Sequence, residues 1–185
     1  DGAPRARRAA PIRRRAGVRV GVIGAGEISE YHLGGLAAVE DAEVVVIAAR
    51  SADRAAARAR RFGITEVAAD WRRVVDRADL DAVVIATPDE THPEIVAAAI
   101  ESRKAILVQK PIATSLDAAR PIVAQARAAN VLLSVSFMHR HFEEVVALRG
   151  LLIGGGLGRP LMARIRNATS GPLWSPWFYR RPATG

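Results

Sequence analysis

From Val18 onward, short runs of β-branched and aliphatic residues alternate with longer, alanine-rich stretches of mixed polarity. Val18–Ile23, Val44–Ala48, Ala82–Ala86, Ala105–Val108 and Val131–Val135 have few polar interruptions, the pattern of strands buried on both faces of a sheet. A weaker strand is predicted at Glu66–Ala68. Between the strands, Glu27–Ala38, Ala52–Arg61, Thr91–Arg103 and Ser115–Ala129 read as helices. A short helix runs from Asp70 to Asp76, and Gly63 closes the second. Strand–helix alternation of this kind predicts an α/β domain over roughly residues 18–137, with a doubly wound parallel sheet and right-handed crossovers. Beyond it the pattern changes. His141–Ile153 reads as a helix closed by Gly154-Gly155-Gly156, and Leu161–Asn167 alternates like a strand of a half-exposed sheet. Ser170–Gly185 is rich in proline, glycine and aromatics. Residues 138–185 are expected to be the start of a second, α+β domain, truncated at the chain end.

Composition narrows the picture. At 185 residues and half apolar, the chain has enough material for one core and the beginning of another. It has no cysteine, which excludes disulfides and thiolate metal sites. His32, His92, His139 and His141 lack the spacing of a zinc site, so no metal is expected. No uncharged apolar run reaches the roughly 18 residues of a membrane span, and a cytoplasmic location is expected.

The net charge of +8 suggests nucleic acid until it is divided along the chain. Residues 1–17 carry +5, residues 18–139 carry −2 and residues 140–185 carry +5. The body is therefore near neutral. Residues 1–17 are expected to be a disordered arginine-rich arm. Without interleaved aromatics, nucleic-acid binding is not expected of it. Arg13-Arg14-Arg15 does not read as an export signal, because the apolar run after it is short, holds Arg19 and is needed as the first strand.

Candidate chemistry sits at strand ends. The first strand runs into Gly21-Val-Ile-Gly24-Ala25-Gly26-Glu27-Ile28-Ser29. Glycines at this spacing let a turn approach a pyrophosphate, which the following helix would face with free N–H groups. An ordinary tight turn is the competing reading. Ser29, where a glycine or alanine is usual, is small enough for close helix–strand packing. The second strand ends Ala48-Ala49-Arg50-Ser51, without the carboxylate that would bind adenosine ribose hydroxyls. Arg50 and Ser51 suit a 2′-phosphate, which favours NADP with NAD as second choice. The alternative is that Arg50 is a plain loop arginine.

The fourth strand leads into Thr87-Pro88-Asp89-Glu90-Thr91-His92, at the end of the sheet where ligands bind in such folds. Thr91 is expected to cap the next helix and Pro93 to occupy its first turn. Capping leaves the presence of His92 unexplained, and a ligand-facing role is expected for it. The fifth strand ends Gln109-Lys110-Pro111. Only Lys104 and Lys110 among the 27 basic residues are lysines. An ammonium at this strand end belongs in the cleft or at its mouth, where it would stabilise alkoxide charge on a substrate oxygen. A surface lysine without a role is the bland alternative.

Taken together, these motifs resemble the Gfo/Idh/MocA oxidoreductases, the glucose–fructose oxidoreductase and inositol dehydrogenase group. The first-strand G-x-x-G-x-G is matched by Gly21, Gly24 and Gly26. The A-S-R-S strand end is matched by Ala48-Ala49-Arg50-Ser51, and the T-P-x-x-x-H loop by Thr87, Pro88 and His92. Gln109-Lys110-Pro111 stands for E-K-P. Met138-His139-Arg140-His141-Phe142 stands for M-x-R-F, with one residue inserted. The likeness runs from about Val18 to Gly185.

It implies an NAD(P)-binding Rossmann domain followed by a substrate and dimerisation domain. It also implies hydride transfer between nicotinamide and a sugar, inositol or related polyol. Lys110 would be catalytic. Gly21, Gly24, Ala25, Gly26, Glu27, Ile28, Arg50, Ser51, Thr87, Pro88, His92, Gln109, Lys110 and Arg140 would bind the cofactor. A downstream Asp and His, beyond a Gly-Gly segment, would complete the site, and the chain stops about where that segment begins. Glutamine at 109 keeps an acceptor for the nicotinamide ribose and loses the negative charge of the usual glutamate. A homo-oligomer is expected of the full-length protein. A non-catalytic NADP-binding module, or truncated pseudoenzyme, and an arginine-rich interaction protein are the alternatives.

Overall fold

The computed structural model describes residues 17–166. Six parallel strands form one sheet in the order β3-β2-β1-β4-β5-β6. They are β1 (Val18–Ile23), β2 (Ala42–Ala48), β3 (Glu66–Ala68), β4 (Ala82–Ile85), β5 (Ala105–Val108) and β6 (Leu133–Val135). Helices α1 (Glu27–Ala37), α2 (Ala52–Phe62), α3 (Arg72–Val75), α4 (His92–Glu101) and α5 (Leu116–Ala128) connect them, and α6 (Glu143–Ile153) follows β6. Through β6 every element lies within two residues of its expected bounds.

Two apolar layers hold the sheet. On one face Leu33 of α1 and Ala55 and Ala59 of α2 pack over Val20, Val22, Ile47 and Val84. The two alanines are one helical turn apart, so a residue with little side chain lets α2 lie close to the strands. On the other face Val74 and Val75 of α3, Ile95, Val96, Ala99 and Ile100 of α4, and Ile122 of α5 cover Ile85, Ile106 and Val108. Burial on both faces explains why these strands read as continuous apolar runs rather than alternating ones. Local signals set the helix ends. Ser51 accepts the Arg54 N–H at the start of α2, Ser115 accepts the Ala118 N–H at the start of α5, and Gly63 ends α2 at φ +68°.

At the amino ends of the strands the polar groups find partners within the fold. Arg19 of β1 binds the Glu43 carboxylate at 2.9 Å and Asp79 at 3.0 Å, and Arg77 binds Glu66 at 2.5 Å and Asp79 at 2.8 Å. The guanidinium groups of Arg77 and Arg19 hold the Asp79 carboxyl well below the usual carboxylate range. Lys104, 7% exposed, donates to the carbonyls of Arg77 (2.5 Å) and Leu80 (2.7 Å). One of the chain's two lysines is thereby a structural tie.

Two expectations are corrected here. Residues 161–166 form no strand, and Asn167 lies outside the described residues. An alternating pattern becomes a strand only against a partner, and no described strand lies beside this segment. Thr91 precedes α4 but does not cap it. A 3-10 turn over Asp89–Thr91 brings the chain into the helix already curled, and the Thr91 hydroxyl turns back to the Pro88 carbonyl at 2.7 Å. The arm expected at residues 1–17 and the aromatic segment from Ser170 lie outside the described residues, Gly17 apart. The helix expected over His141–Ile153 is present as α6 but has no buried residue, and Val146, Leu151 and Ile153 stand exposed on it.

Candidate active site

The sheet order reverses between β1 and β4, and the carboxyl ends of these neighbouring strands open a crevice of the kind that receives ligands. β1 turns there through Gly24, whose N–H donates to the Ala48 carbonyl at 2.7 Å. Gly24 sits at φ +112°, and a Cβ on it would stand 2.3 Å from the Ala86 carbonyl oxygen. Only glycine lets the β1 turn lie so close to β4. Gly26 starts α1 with nothing within 4 Å of the place a Cβ would take, so the surface there is open. The N–H groups of Glu27 and Ile28 in the first helical turn have no intrahelical acceptor and carry the positive end of the helix dipole. Ser29 is fully buried and donates to the Gly26 carbonyl at 2.6 Å, tightening the turn in the place of the usual small residue.

Gly21 differs from the other two. It lies within β1, where a Cβ would come 2.4 Å from Val74 Cγ1 and 2.9 Å from Leu80 Cδ1. Its role in the fold is packing, and the expectation of a cofactor contact at Gly21 is corrected accordingly. Ala25 is buried. The Glu27 carboxylate lies 3.8 Å from the Arg58 guanidinium of α2. Glu30 binds the same Arg58 at 2.8 Å and also pairs with Arg61. These pairs draw the acidic side chains of α1 toward α2 and leave its main-chain end to act on a phosphate.

At the end of β2, Arg50 is exposed and Ser51 is half-buried. Ser51 accepts the Arg54 N–H at 3.4 Å, which leaves its hydroxyl proton free to donate. No ion pair engages Arg50 among the described residues.

The loop after β4 is internally bonded. The hydroxyls of Thr87 and Thr91 share a hydrogen bond of 2.7 Å. His92 is fully buried, with Nδ1 2.7 Å from the Pro111 carbonyl oxygen and Nε2 2.9 Å from that of Thr87. Both ring nitrogens being occupied by main chain, His92 has none left for a ligand, which corrects its expected ligand-facing role. Asp89, in the same loop, is half-buried. Burial pushes its carboxyl up, against the pull of the nearby His92 and Lys110 charges.

Gln109 and Lys110 leave β5 in opposite environments. Gln109 is 7% exposed, and its Oε1 is buried without a hydrogen-bond partner among the described residues. Lys110 is exposed. Facing Gln109 from α1 is His32, whose Nε2 is likewise buried and unpartnered in the fold. Burial lowers the proton affinity of His32, and the Gln109 side chain partly offsets this. Neither His32 nor Asp89 is legible as a site residue from a linear motif. The spacing of His32, one helical turn past Ile28, is the single signal that could have found it. Arg140 lies apart from the cluster, exposed on the 3-10 turn Met138–His141 after β6, and bonds to none of the other expected site residues.

A buried acceptor without a partner, an open surface at Gly26 and free N–H groups at one crevice fit a dinucleotide. Unsatisfied buried polar atoms are costly and few in a fold, and a ribose hydroxyl would satisfy Gln109 Oε1. The architecture and crevice together define a dinucleotide-binding Rossmann domain.

Comparison with known proteins places it further. Residues 18–137 match the Gfo/Idh/MocA model, described as an oxidoreductase family with an NAD-binding Rossmann fold, and the chain belongs to that family. It is 35% identical over 168 residues to a 1,5-anhydro-D-fructose reductase of Ensifer adhaerens, covering 90% of this chain and 50% of that protein. It is 39% identical over 156 residues to inositol 2-dehydrogenase 3 of Saccharopolyspora erythraea, covering 82% and 46%. Among solved structures, a levoglucosan dehydrogenase in complex with NADH and levoglucosan superposes with a TM-score of 0.74 at 31% identity, covering 77% of this chain and 41% of that one. The chain spans about half the length of the curated relatives it matches.

Proposed function

We propose that this chain supplies the cofactor half of an NAD(P)-dependent oxidoreductase that interconverts a CH–OH group and a carbonyl on a sugar, inositol or related polyol. The observation that carries the reading is the pairing at the end of β5: an exposed Lys110 beside a buried Gln109 whose acceptor lacks a partner, at the mouth of the crevice. The named activities of its relatives support the substrate class.

Gly24, Gly26 and the first turn of α1 would hold the pyrophosphate, Gln109 the nicotinamide ribose, and Thr87 and Pro88 the adjoining wall. The cofactor, when bound, supplies the hydride acceptor or donor. Lys110 donates a hydrogen bond to the reacting oxygen, orients it and stabilises the negative charge that oxygen carries once its proton has passed to a separate general base and before the hydride leaves carbon. Asp89, held partly out of water beside Lys110, shapes the field in which that ammonium works. Arg50 and Ser51 stand where a 2′-phosphate would lie, which supports NADP as the preferred form, with NAD second. A homo-oligomer acting in the cytoplasm completes the reading.

Calorimetric titration with NADPH and NADH, followed by a polyol panel assayed at 340 nm, tests it. Binding of NADPH at least about 10-fold tighter than NADH, and a loss of that preference in Arg50→Ala, is the expected result. Absence of binding to either dinucleotide sinks the reading. Binding without turnover of any polyol would favour a non-catalytic module.

A further inference from the structure

The reading of Lys110 as the group that polarises the substrate leaves open what holds it in place, since it leaves the strand into a loop and its side chain is exposed. On its amino side the chain is fixed by the ladder, Gln109 N–H donating to the Ile85 carbonyl at 2.8 Å. On its carboxyl side the next carbonyl, that of Pro111, lies 2.7 Å from His92 Nδ1. Pro111 has no N–H to give to a neighbour, so the ring fastens this point by the oxygen alone. The opposite edge of the same ring lies 2.9 Å from the carbonyl of Thr87, in the loop after β4. One fully buried side chain thus ties together the two loops that wall the crevice. The Asp89 carboxylate is near enough to interact with His92 and Lys110 together.

We propose that His92 is a positioning residue: by gripping the carbonyls of Thr87 and Pro111 it sets where the Lys110 ammonium stands relative to the crevice, without touching the dinucleotide. This rests on the proposed function for the role of Lys110, though not for the grip itself. It differs from a general packing role in one respect, namely that its loss is felt at Lys110 and not at Lys104, the tie at the other end of β5.

The two lysines make the test direct. Reductive methylation of the full chain with 13C-formaldehyde keeps the positive charge and labels exposed amines for NMR. In His92→Phe, which keeps an aromatic ring and removes both contacts, the Lys110 dimethylamino resonance is expected to move and broaden. Any Lys104 signal should stay where it is in the wild type. His92→Asn, which keeps a donor near the position of Nδ1, should restore most of the Lys110 signal. An unmoved Lys110 resonance in both variants overturns the proposal, as does equal movement at Lys104. Wild-type chain that binds neither NADPH nor NADH overturns the proposed function, while the unliganded Lys110 signal still decides the role of His92.

Discussion

The two ends of the sheet are built from similar residues and behave differently. At the amino ends of the strands, Arg19, Arg77, Glu66, Asp79 and Glu43 pair among themselves, and Lys104 holds two carbonyls. At the carboxyl ends, Gln109 and His32 each bury a polar atom that the fold does not satisfy, Lys110 is exposed, and Asp89 is held against its charge. Folding completes the first set, whereas in the second Gln109 and His32 face each other with buried polar atoms that make no hydrogen bond of normal geometry among the described residues. A buried polar atom left without a partner costs free energy that a well-packed fold otherwise avoids. Arg58 Nε on α2 is a third such atom, and the contrast agrees with the site that the glycine turn marks.

The two lysines give the sharpest way to break this contrast, because they sit at opposite ends of one four-residue strand. Lys110→Met should leave the melting temperature within a degree or so of wild type and cut polyol turnover by about 10^3-fold. Lys104→Met should do the reverse, leaving dinucleotide affinity intact while costing roughly 2–3 kcal/mol of stability as two buried carbonyls lose their donor. Urea titrations and steady-state rates on both variants check it, and loss of stability in Lys110→Met would erase the distinction. An effect of similar size is expected at the turn itself. Gly24→Ala must take a left-handed φ and press on the Ala86 carbonyl, for about 3 kcal/mol of destabilisation together with weaker dinucleotide binding. Gly26→Ala, where a Cβ meets nothing, should alter affinity alone.

The smallest effect is one of pH. Burial makes His32 a poorer base in the folded chain than in the unfolded one, so the unfolded state binds more protons below the ordinary histidine value of about 6.5. Stability should fall as pH drops through that value, toward the lowered value of the folded state. His32→Gln should flatten that part of the profile in urea midpoints taken between about pH 5 and 7.5. An unchanged slope would mean that His32 is not held in the dry environment described for it.

Most of the fold was legible because its signals are local. Apolar runs marked five of the six strands, Ser51 and Ser115 marked helix starts, and Gly63 marked a stop. The turn at Gly24 and Gly26 was legible for the same reason. What resisted reading depends on contacts across the chain. Gly21 looks like a ligand glycine by spacing, yet its missing side chain makes room for Val74 and Leu80. His92 looks like a ligand because only one of its two partners, Thr87, is near it in sequence. The other, Pro111, is 19 residues away. His32 and Gln109 come together from separate elements, α1 and the end of β5, and no window on the sequence contains both. The alternation at Leu161–Asn167 was real as a pattern, but a strand is a property of a pair.

The void at Gly21 has a mechanical consequence. The turn that would carry the pyrophosphate is continuous with β1, and the height of β1 above its neighbours is gauged by Val74, on a helix of four residues that lies on the far face of the sheet. Val74 thus acts as a shim beneath the turn. Enlarging it would lift β1, and trimming it would let the strand sink. Cofactor affinity in this domain is therefore adjustable from a residue that no ligand touches.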